Sequence, residues 1–549
     1  MRVTKKFQSH THIYFIVVGL LLLIISGSFL TEGMSLVGLE NGINARGIYS
    51  AGHYVDFWLP SMTVGEGSLT SHAYMPLGYY LENWVMKLVG DSYIFDKLYS
   101  MVLFIICLLL IVRIWVLVGN SRRTGWLPIL FWMLAPVVTR TATDNLLETP
   151  LTIFVLMSVC SLLHGYKVRR EARKYAEEHP DKPRPWLRYL YSFLWAIMSS
   201  IWMSVAFMVK GFSGLYTAAM PLIFWLFGQH EKILYPIIDT LLIVATWVGG
   251  GALLIWLTPG VQPAVKGYVR HQFMDGMLYG QTVSSHFFIL NELVLQMLVP
   301  VIVLVVVSIV RLRKNHYAQY VLYWRHKEKL SSDDLRNSRL TWRFFCLGMA
   351  GVVPILFTLK QQDYYLVSML PMFAISSACF VNNIAVARMS AIKPVANQIL
   401  STIAIIVMTT AIVLNLSSIS KVTKDADLIN DMHQILPLLQ EGEVVSVTPE
   451  LAADHTAASY YMRYKSITFD TALTHEHMMS LFSDVKRLNI PTSYIKVKLP
   501  TKLYHVYRAV PKLEQLADSL ATVERIAAKN KADSIKAEQL RPHLNMDEE

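Results

Sequence analysis

Charge is scarce in this sequence. Asp, Glu, Lys and Arg make up 16% of its 549 residues, against about 25% in an ordinary soluble domain. With 54% hydrophobic residues and a mean hydropathy of +0.39, most of the chain is written for a solvent other than water. Cysteine is scarcer still. The four present, Cys107, Cys160, Cys346 and Cys379, all sit inside apolar runs, which argues against a disulfide framework or a cysteine metal cluster and reads them as small buried hydrophobes. The sequence also has no Walker-type phosphate loop, no HExxH and no nucleophile elbow. ATP-driven work and serine-type hydrolysis therefore lack support.

The abundant apolar residues come in blocks. Several blocks approach or exceed the roughly 20 residues that carry a helix across ~30 Å of hydrocarbon. Helices are expected because lipid offers no partner to a free backbone N–H or C=O, and the runs do not alternate as barrel strands would. The first run, about 12–29, follows Arg2, Lys5 and Lys6 and reads as an uncleaved first helix with a cytoplasmic N-terminus. Ten more are drawn at about 98–119, 126–141, 148–166, 188–208, 211–229, 234–257, 286–310, 342–359, 364–385 and 395–417, giving about eleven spans.

Threading these runs alternates the loops. One side receives the dense cations Arg122, Arg123, Lys167, Arg169, Arg170, Arg173, Lys174, Arg311, Arg313, Lys314, Arg336 and Arg339. The other receives scattered ones, among them Arg46, Lys87, Lys97, Arg140, Lys210, Lys266, Arg270 and Lys360. That asymmetry satisfies the positive-inside rule and accounts for the formal charge of +11 without nucleic acid. The expected architecture is an α-helical polytopic membrane domain over 1–417, with outer loops 31–97 and 258–285. A small soluble α/β domain follows over 418–510, then an amphipathic helix and polar tail over 511–549. Pro76–Val89 is amphipathic and predicts a helix lying along the interface. In the tail domain the pattern predicts strands at 443–447, 466–469, 493–498 and 503–509, with helices at 450–463 and about 475–488. In the last segment Leu513, Leu516, Leu520, Val523 and Ala527 recur at helical spacing.

Chemistry-bearing residues gather on the outer side. Glu32 opens the first outer loop, and a carboxylate at the mouth of a bundle is placed to act as a general base; a solvated acid at a helix end is the alternative. Asp144 and Glu148 sit in the short loop before the fourth span, where either is also suited to stabilise the helix N-terminus through its dipole. His72, Tyr79 and Tyr80 flank a Pro-Leu-Gly turn, either a head-group surface or ordinary interfacial aromatics. Lys210 and Lys360, with Arg270, are outer cations near hydrocarbon. Such charges count as functional candidates and suit a phosphate, while snorkelling at a helix end is the plain reading. Tyr365 and His271 stand beside them. His53, His72, His271 and His286 fit no compact metal template, although a divalent metal stays possible.

In this order the pieces resemble the GT-C class of integral membrane glycosyltransferases. They are most similar to the dolichyl/undecaprenyl-phosphate-sugar family of protein O-mannosyltransferases and lipid A aminoarabinose transferase. The resemblance rests on Glu32, on Met75-Pro76-Leu77-Gly78-Tyr79-Tyr80, on Thr143-Asp144, on Lys210-Gly211-Phe212-Ser213-Gly214-Leu215, and on Lys360 with Tyr365, Leu366 and Pro371. It covers about residues 12–385, and the tail domain also has counterparts. Two positions depart from the family pattern: Thr31 stands where the acidic pair has an aspartate, and Tyr74 replaces a basic residue or histidine.

The resemblance implies sugar transfer, with inversion, from a polyprenyl-phosphate-linked donor to a hydroxyl of a lipid, glycan or protein, at the outer face of a bacterial inner membrane. It implies Glu32 and Asp144 as catalytic carboxylates. It further implies Lys360, Arg270 and Lys210 around the donor phosphate, and Tyr79, Tyr80, Tyr365, His72 and His271 at the head group. A lipid-linked oligosaccharide polymerase or ligase, and a lipid-sugar flippase without chemistry, are the alternatives.

Overall fold

The computed structural model describes residues 30–50, 57–58, 75–181, 185–228, 232–274, 281–312, 332–390, 394–419, 421–484, 490, 493–509, 525–526 and 529–531. The first expected span lies outside these residues, as does nearly all of 511–549. The chain divides into two compact units, one running to residue 426 and one from Asp427 onward.

The first unit is helical. It begins with α1 (Leu36–Ser50), α2 (Leu77–Val89), α3 (Tyr93–Leu117), α4 (Trp126–Met133) and α5 (Pro136–Thr141). Then come α6 (Glu148–Glu178), α7 (Trp186–Lys210), α8 (Met220–Leu226), α9 (Leu234–Leu257) and α10 (Val261–Tyr268). It closes with α11 (Phe288–Gln296), α12 (Leu298–Leu312), α13 (Ser332–Val352), α14 (Leu370–Ser390) and α15 (Pro394–Leu416). By length and composition, five helical stretches among the described residues are fit to cross a membrane, or six if a bent pair counts as one. The expected eleven are not reached by that criterion. Apolar runs were broken by features that mean hydropathy does not register. The run at 126–141 breaks at Ala135-Pro136 into two short helices. The run at 286–310 bends by 61° between α11 and α12; Pro300 has no N–H for the Gln296 carbonyl and its ring crowds it.

The stretch 186–226 passes as a single candidate span by length and hydropathy, yet it is not one crossing. Gly211 adopts φ +75° and the chain doubles back, so that a Cβ built on Gly214 would lie 2.7 Å from the Ala206 Cβ. In a straight helix those residues would be about 12 Å apart. The return leg is a 3-10 helix, Gly211–Ala219, followed by α8. A 3-10 helix rises more per residue than an α-helix, so these 16 residues extend about 28 Å, enough for the hydrocarbon layer. At its far end Phe224 packs 6.0 Å from Tyr166 of α6. A methyl group at Gly211 would stand 1.8 Å from the Tyr268 hydroxyl in a positive-φ conformation. Gly211→Ala is therefore expected to lower stability by about 1–3 kcal/mol, read as an earlier thermal unfolding midpoint of the detergent-solubilised protein.

Helix α2 inverts the usual polarity of an interfacial helix. Its buried face carries Gly78, Tyr79, Glu82, Asn83 and Met86, while Trp84, Leu88 and Val89 are exposed. The inward polar groups have partners: Asn83 donates to the Ala45 carbonyl of α1, and Glu82 accepts from Asn145.

The second unit carries α16 (Ala426–Ile435), β1 (Val444–Val447), α17 (Pro449–Ala452), α18 (His455–Lys465), β2 (Thr468–Asp470), β3 (His477–Leu481), β4 (Tyr494–Val497) and β5 (Tyr504–Ala509). The sheet order is β2-β1-β3-β5-β4; β1 is parallel to both neighbours, and β5 is antiparallel to β3 and β4. The helix expected over 450–463 is split, because the Asp454 carboxylate caps α18 by accepting the Thr456 and Ala457 amides. The helix expected at about 475–488 is instead β3. Its sequence HMMSL has no β-branched residue, but as the central strand it is buried on both faces, and long-range pairing overrides local preference.

Beside β3, His475 Nε2 lies 2.7 Å from Asp470 Oδ2, and the Ala472 amide donates to the same carboxylate. These hydrogen bonds, the histidine's first, hold the Asp470 carboxyl below its ordinary value. A carboxylate with a depressed folded pKa stabilises the fold above the ordinary range, about 3.9, and that contribution fades as pH falls through the lower folded value. Asp470→Asn is expected to flatten the acid limb of the stability profile, measured by denaturant unfolding across that pH range.

Candidate active site

Segments distant in sequence meet at one end of the helical unit. The chain entering α1 is pinned to residues 421–423: the Glu32 amide donates to the Lys421 carbonyl at 2.8 Å, and the Thr423 amide donates back to the Glu32 carbonyl at 3.5 Å. The Thr31 and Thr423 hydroxyls are 2.9 Å apart. Glu32 is thus fixed in place and only 4% exposed.

Asp144 lies against the same segment. Its Oδ1 accepts the Ser35 amide at 3.1 Å, just before α1 begins, where the helix dipole favours an anion. Glycine is required at position 38, because a Cβ there would fall 1.9 Å from the Asp144 carbonyl oxygen. Asn41 donates to the Asn145 carbonyl, and Asn145 takes φ +50°, a conformation that asparagine tolerates. Lys97, at the start of α3 and 3% exposed, is within electrostatic reach of Asp144, Glu32 and Asp96. Glu32 and Asp144 are therefore gathered around one buried ammonium.

The other candidate cations surround a cavity. Lys210 ends α7 and is ion-paired with Glu148, the first residue of α6, with both side chains buried. Its ammonium also stands 5.0 Å from the Tyr364 ring centroid and 5.5 Å from that of Tyr365. The Tyr268 hydroxyl donates to the Lys210 carbonyl and accepts the Phe212 amide. The adjoining cavity has a volume of about 480 Å3, and Lys210, Lys360, Tyr268 and Tyr365 line it among mainly apolar neighbours such as Phe212 and Phe357. That volume is in the usual range for ligand pockets, about 300–1,000 Å3. Phe212 and Phe357 are exposed, so the mouth is apolar.

The loop bearing Lys360 is held by its buried neighbour Gln361. The Gln361 side-chain amide donates to the His286, Ile355 and Thr358 carbonyls, and its Oε1 accepts the Ile289 amide. Arg140 then links this loop to the one carrying Asp144 through two hydrogen bonds to Asp363, at 2.9 and 2.8 Å. Tyr364 lies within electrostatic reach of Glu148, Asp363 and Glu40 of α1. The carboxylate cluster and the cationic cavity thus occupy the same end of the unit.

The remaining candidates fare differently. Tyr79 is 1% exposed and belongs to the bundle core, because it falls on the inward face of α2. Tyr80 is half-buried and packs at a tilt against Phe57, with ring centroids 4.5 Å apart. Arg270 is exposed on the short π-helical turn Val269–Met274 and is not part of the cavity wall. His271 lies on that turn with its side chain outside the described residues, and His72 is outside them altogether. His286 contacts the Leu356 carbonyl through Nδ1. Among the described residues, no three His, Cys, Asp or Glu side chains converge as metal ligands do. Sequence reasoning passed over Lys97, Tyr268 and Gln361. Only the rarity of outer cations pointed to Lys97, and no local signal marked the other two.

No protein-family model and no curated protein sequence matches the chain. Solved structures do. ArnT from Cupriavidus metallidurans bound to undecaprenyl phosphate is similar, with a TM-score of 0.55 at 13% identity, over 91% of this chain and 98% of that one. ArnT from the same organism in the apo state is similar with a TM-score of 0.51 at 12% identity, over 91% and 99%. An oligosaccharyltransferase from Archaeoglobus fulgidus in the apo form aligns with a TM-score of 0.47 at 10% identity, over 86% and 61%. The fold is that of the GT-C class of membrane glycosyltransferases, and the chain is a membrane protein with a small sheet domain. The two ArnT structures, from a lipid A aminoarabinose transferase, are similar to this chain over nearly its whole length.

Proposed function

We propose that the protein transfers a sugar from a polyprenyl-phosphate-linked donor to a hydroxyl of a lipid, glycan or protein acceptor, at the outer face of a bacterial inner membrane. In this reading the N-terminus is cytoplasmic and the tail domain periplasmic. The observation that carries the proposal is the cavity shared by Lys210 and Lys360, at the same end of the bundle as Glu32 and Asp144. Its apolar mouth suits a prenyl chain and its lysines suit the phosphate that the chain bears. Among fold relatives, ArnT has been solved with undecaprenyl phosphate bound.

The chemistry follows from the charges. A polyprenyl phosphate is a poor leaving group unless the negative charge it gains is stabilised as the glycosidic bond breaks, and a fixed cation at low dielectric does this well. Lys360 supplies that charge. The Lys210 ammonium is already matched by Glu148 and holds the Tyr364–Tyr365 corner beside the head group. Glu32 takes the proton from the acceptor hydroxyl, whose oxygen attacks the anomeric carbon on the face opposite the phosphate. The carbon–oxygen bond to the phosphate breaks, its electron pair leaves with the phosphate, and the configuration inverts. Asp144 keeps Lys97 and the entry to α1 in register with Glu32.

Lys360→Met is expected to weaken binding of polyprenyl phosphate by about 10- to 100-fold, the worth of one charge-assisted hydrogen bond, measured by isothermal titration in detergent. The transfer itself is tested by mass spectrometry of lipids, glycans and glycoproteins from cells with and without the protein. A sugar that disappears from one pool on deletion supports the proposal, and unchanged sugar content in all pools overturns it.

A further inference from the structure

Helix α5 and the short loop after it lead into Asp144, and they are tied down at two points. The first tie is buried: the Val137 amide donates to Gln296 Oε1 of α11 at 2.8 Å. The second is exposed. Arg140, near the end of α5, reaches across 223 residues of sequence to Asp363. One guanidinium nitrogen, Nη2, donates to both carboxylate oxygens, at 2.9 and 2.8 Å. The buried tie acts as a fixed pivot, and the exposed one sets the swing of the end that carries Asp144.

Each end of the exposed tie leads to the candidate site. On the Arg140 side, the Thr143 amide and hydroxyl both donate to the Arg140 carbonyl, at 3.2 and 3.0 Å. The next residue, Asp144, accepts the Ser35 amide, and the Asn145 carbonyl accepts from Asn41 of α1. On the Asp363 side, Oδ1 also accepts the Tyr364 amide at 2.8 Å, at the start of the 3-10 turn Asp363–Leu366. That turn brings Tyr365 to the cavity that Lys360 also lines. Just before it, Gln361 Oε1 accepts the Ile289 amide near the start of α11. A run of hydrogen bonds therefore joins the entry of α1 to the cavity wall, with the Arg140–Asp363 ion pair in its middle.

We propose that Arg140 and Asp363 are positioning residues for sugar transfer. Their ion pair holds the Asp144 loop and the Tyr365 turn in one register, which keeps the carboxylate cluster at a set distance from the lysine-lined cavity. The proposal rests on reading those two features as one site. The pair is exposed, Arg140 at 50% and Asp363 at 24% of the side chain, and an exposed pair contributes little to global stability. Its effect lies in alignment, because a misplacement of about 1 Å can cost about 100-fold in rate. The loss here is smaller, since Gln296 still fixes the other end of α5.

The test compares Arg140→Gln, Asp363→Asn and the double variant of the full-length protein in detergent, first without ligand, by hydrogen–deuterium exchange read by mass spectrometry. Asp363→Asn is expected to speed amide exchange over 33–41 by about tenfold, and Arg140→Gln to do the same over 361–367. Each effect falls on the far side of the tie from its substitution. The double variant should exchange no faster than either single one, because both act through one interaction. Loosening confined to the substituted segment, or additive effects, overturns the proposal. In transfer from a labelled polyprenyl-phosphate sugar, kcat should fall by about tenfold with KM unchanged. Arg140→Lys should recover most of that loss, since a single nitrogen makes both bonds. A rise in KM at constant kcat, or no recovery with lysine, also overturns it. A wild type that neither binds polyprenyl phosphate nor transfers sugar refutes the reading of the site, while the ligand-free exchange still decides the tie.

Discussion

Replacing Glu32 with glutamine is expected to lower the rate of sugar transfer by about 100- to 10,000-fold, the range attributed to a general base, while leaving polyprenyl phosphate binding unchanged. The substitution is nearly isosteric, and the backbone contacts to Lys421 and Thr423 do not depend on the side chain. What it removes, in the proposed mechanism, is the site that accepts the acceptor's proton. The neighbouring carboxylate is a weaker candidate, because Asp144 Oδ1 is committed to the Ser35 amide; the Lys97 ammonium is shared by both acids. Asp144→Asn is accordingly expected to act through the position of α1, with a smaller fall in turnover. The measurement is single-turnover transfer from a labelled donor, with donor binding determined separately. A flippase would be indifferent to the change at Glu32. A dead Asp144→Asn beside a nearly normal Glu32→Gln would move the base from one carboxylate to the other.

Breaking the Glu148–Lys210 pair should produce the largest effect on stability. Both side chains are almost fully buried, at 1% and 6% exposure. Removing the acid leaves an ammonium without its counter-charge at low dielectric, which costs about 3–5 kcal/mol. Glu148→Ala is thus expected to lower the thermal midpoint of the solubilised protein and to reduce its folded yield. Adding Lys210→Met should recover much of the loss, since replacing both members of a buried pair with apolar groups is often neutral. The double variant should still transfer poorly, because Tyr364 and Tyr365 lose the cation beneath their rings. Independent, additive effects of the two substitutions would show that the pair is not coupled.

The apolar runs were legible in the sequence because a bilayer demands long uninterrupted stretches, and α3, α6, α7, α9 and α13 lie where those stretches are. What the runs could not reveal is how each behaves inside the bundle. The reversal at Lys210-Gly211 depends on Tyr268, 57 residues further on, filling the space that a side chain would need. The bend after Gln296 needs only one proline within an otherwise ideal span. In the soluble unit, β3 reads as a helix until β1 and β5 are present to pair with it. The candidate site was partly legible as well. Glu32, Asp144, Lys210 and Lys360 stand out as charges at the edge of hydrocarbon. The sequence offered Lys210 as a phosphate-binding or snorkelling cation and Glu148 as a helix-dipole acid; folding makes them each other's partner across 62 residues. Lys97 was one of several scattered cations until folding brought Glu32 and Asp144 to it. Tyr79, expected at the head group, lies in the bundle core because it falls on the inward face of α2, which composition does not reveal.

The central claim is that the carboxylates and the lysine-lined cavity form one site for a lipid phosphate, and it is tested most directly by a cryo-electron microscopy structure with polyprenyl phosphate bound. The phosphate is expected within hydrogen-bonding distance of Lys360, its prenyl chain leaving past Phe212 and Phe357, with Glu32 facing the space where a sugar would extend. A phosphate seated elsewhere on the protein, or one separated from Glu32 by the wall of the bundle, would contradict the account.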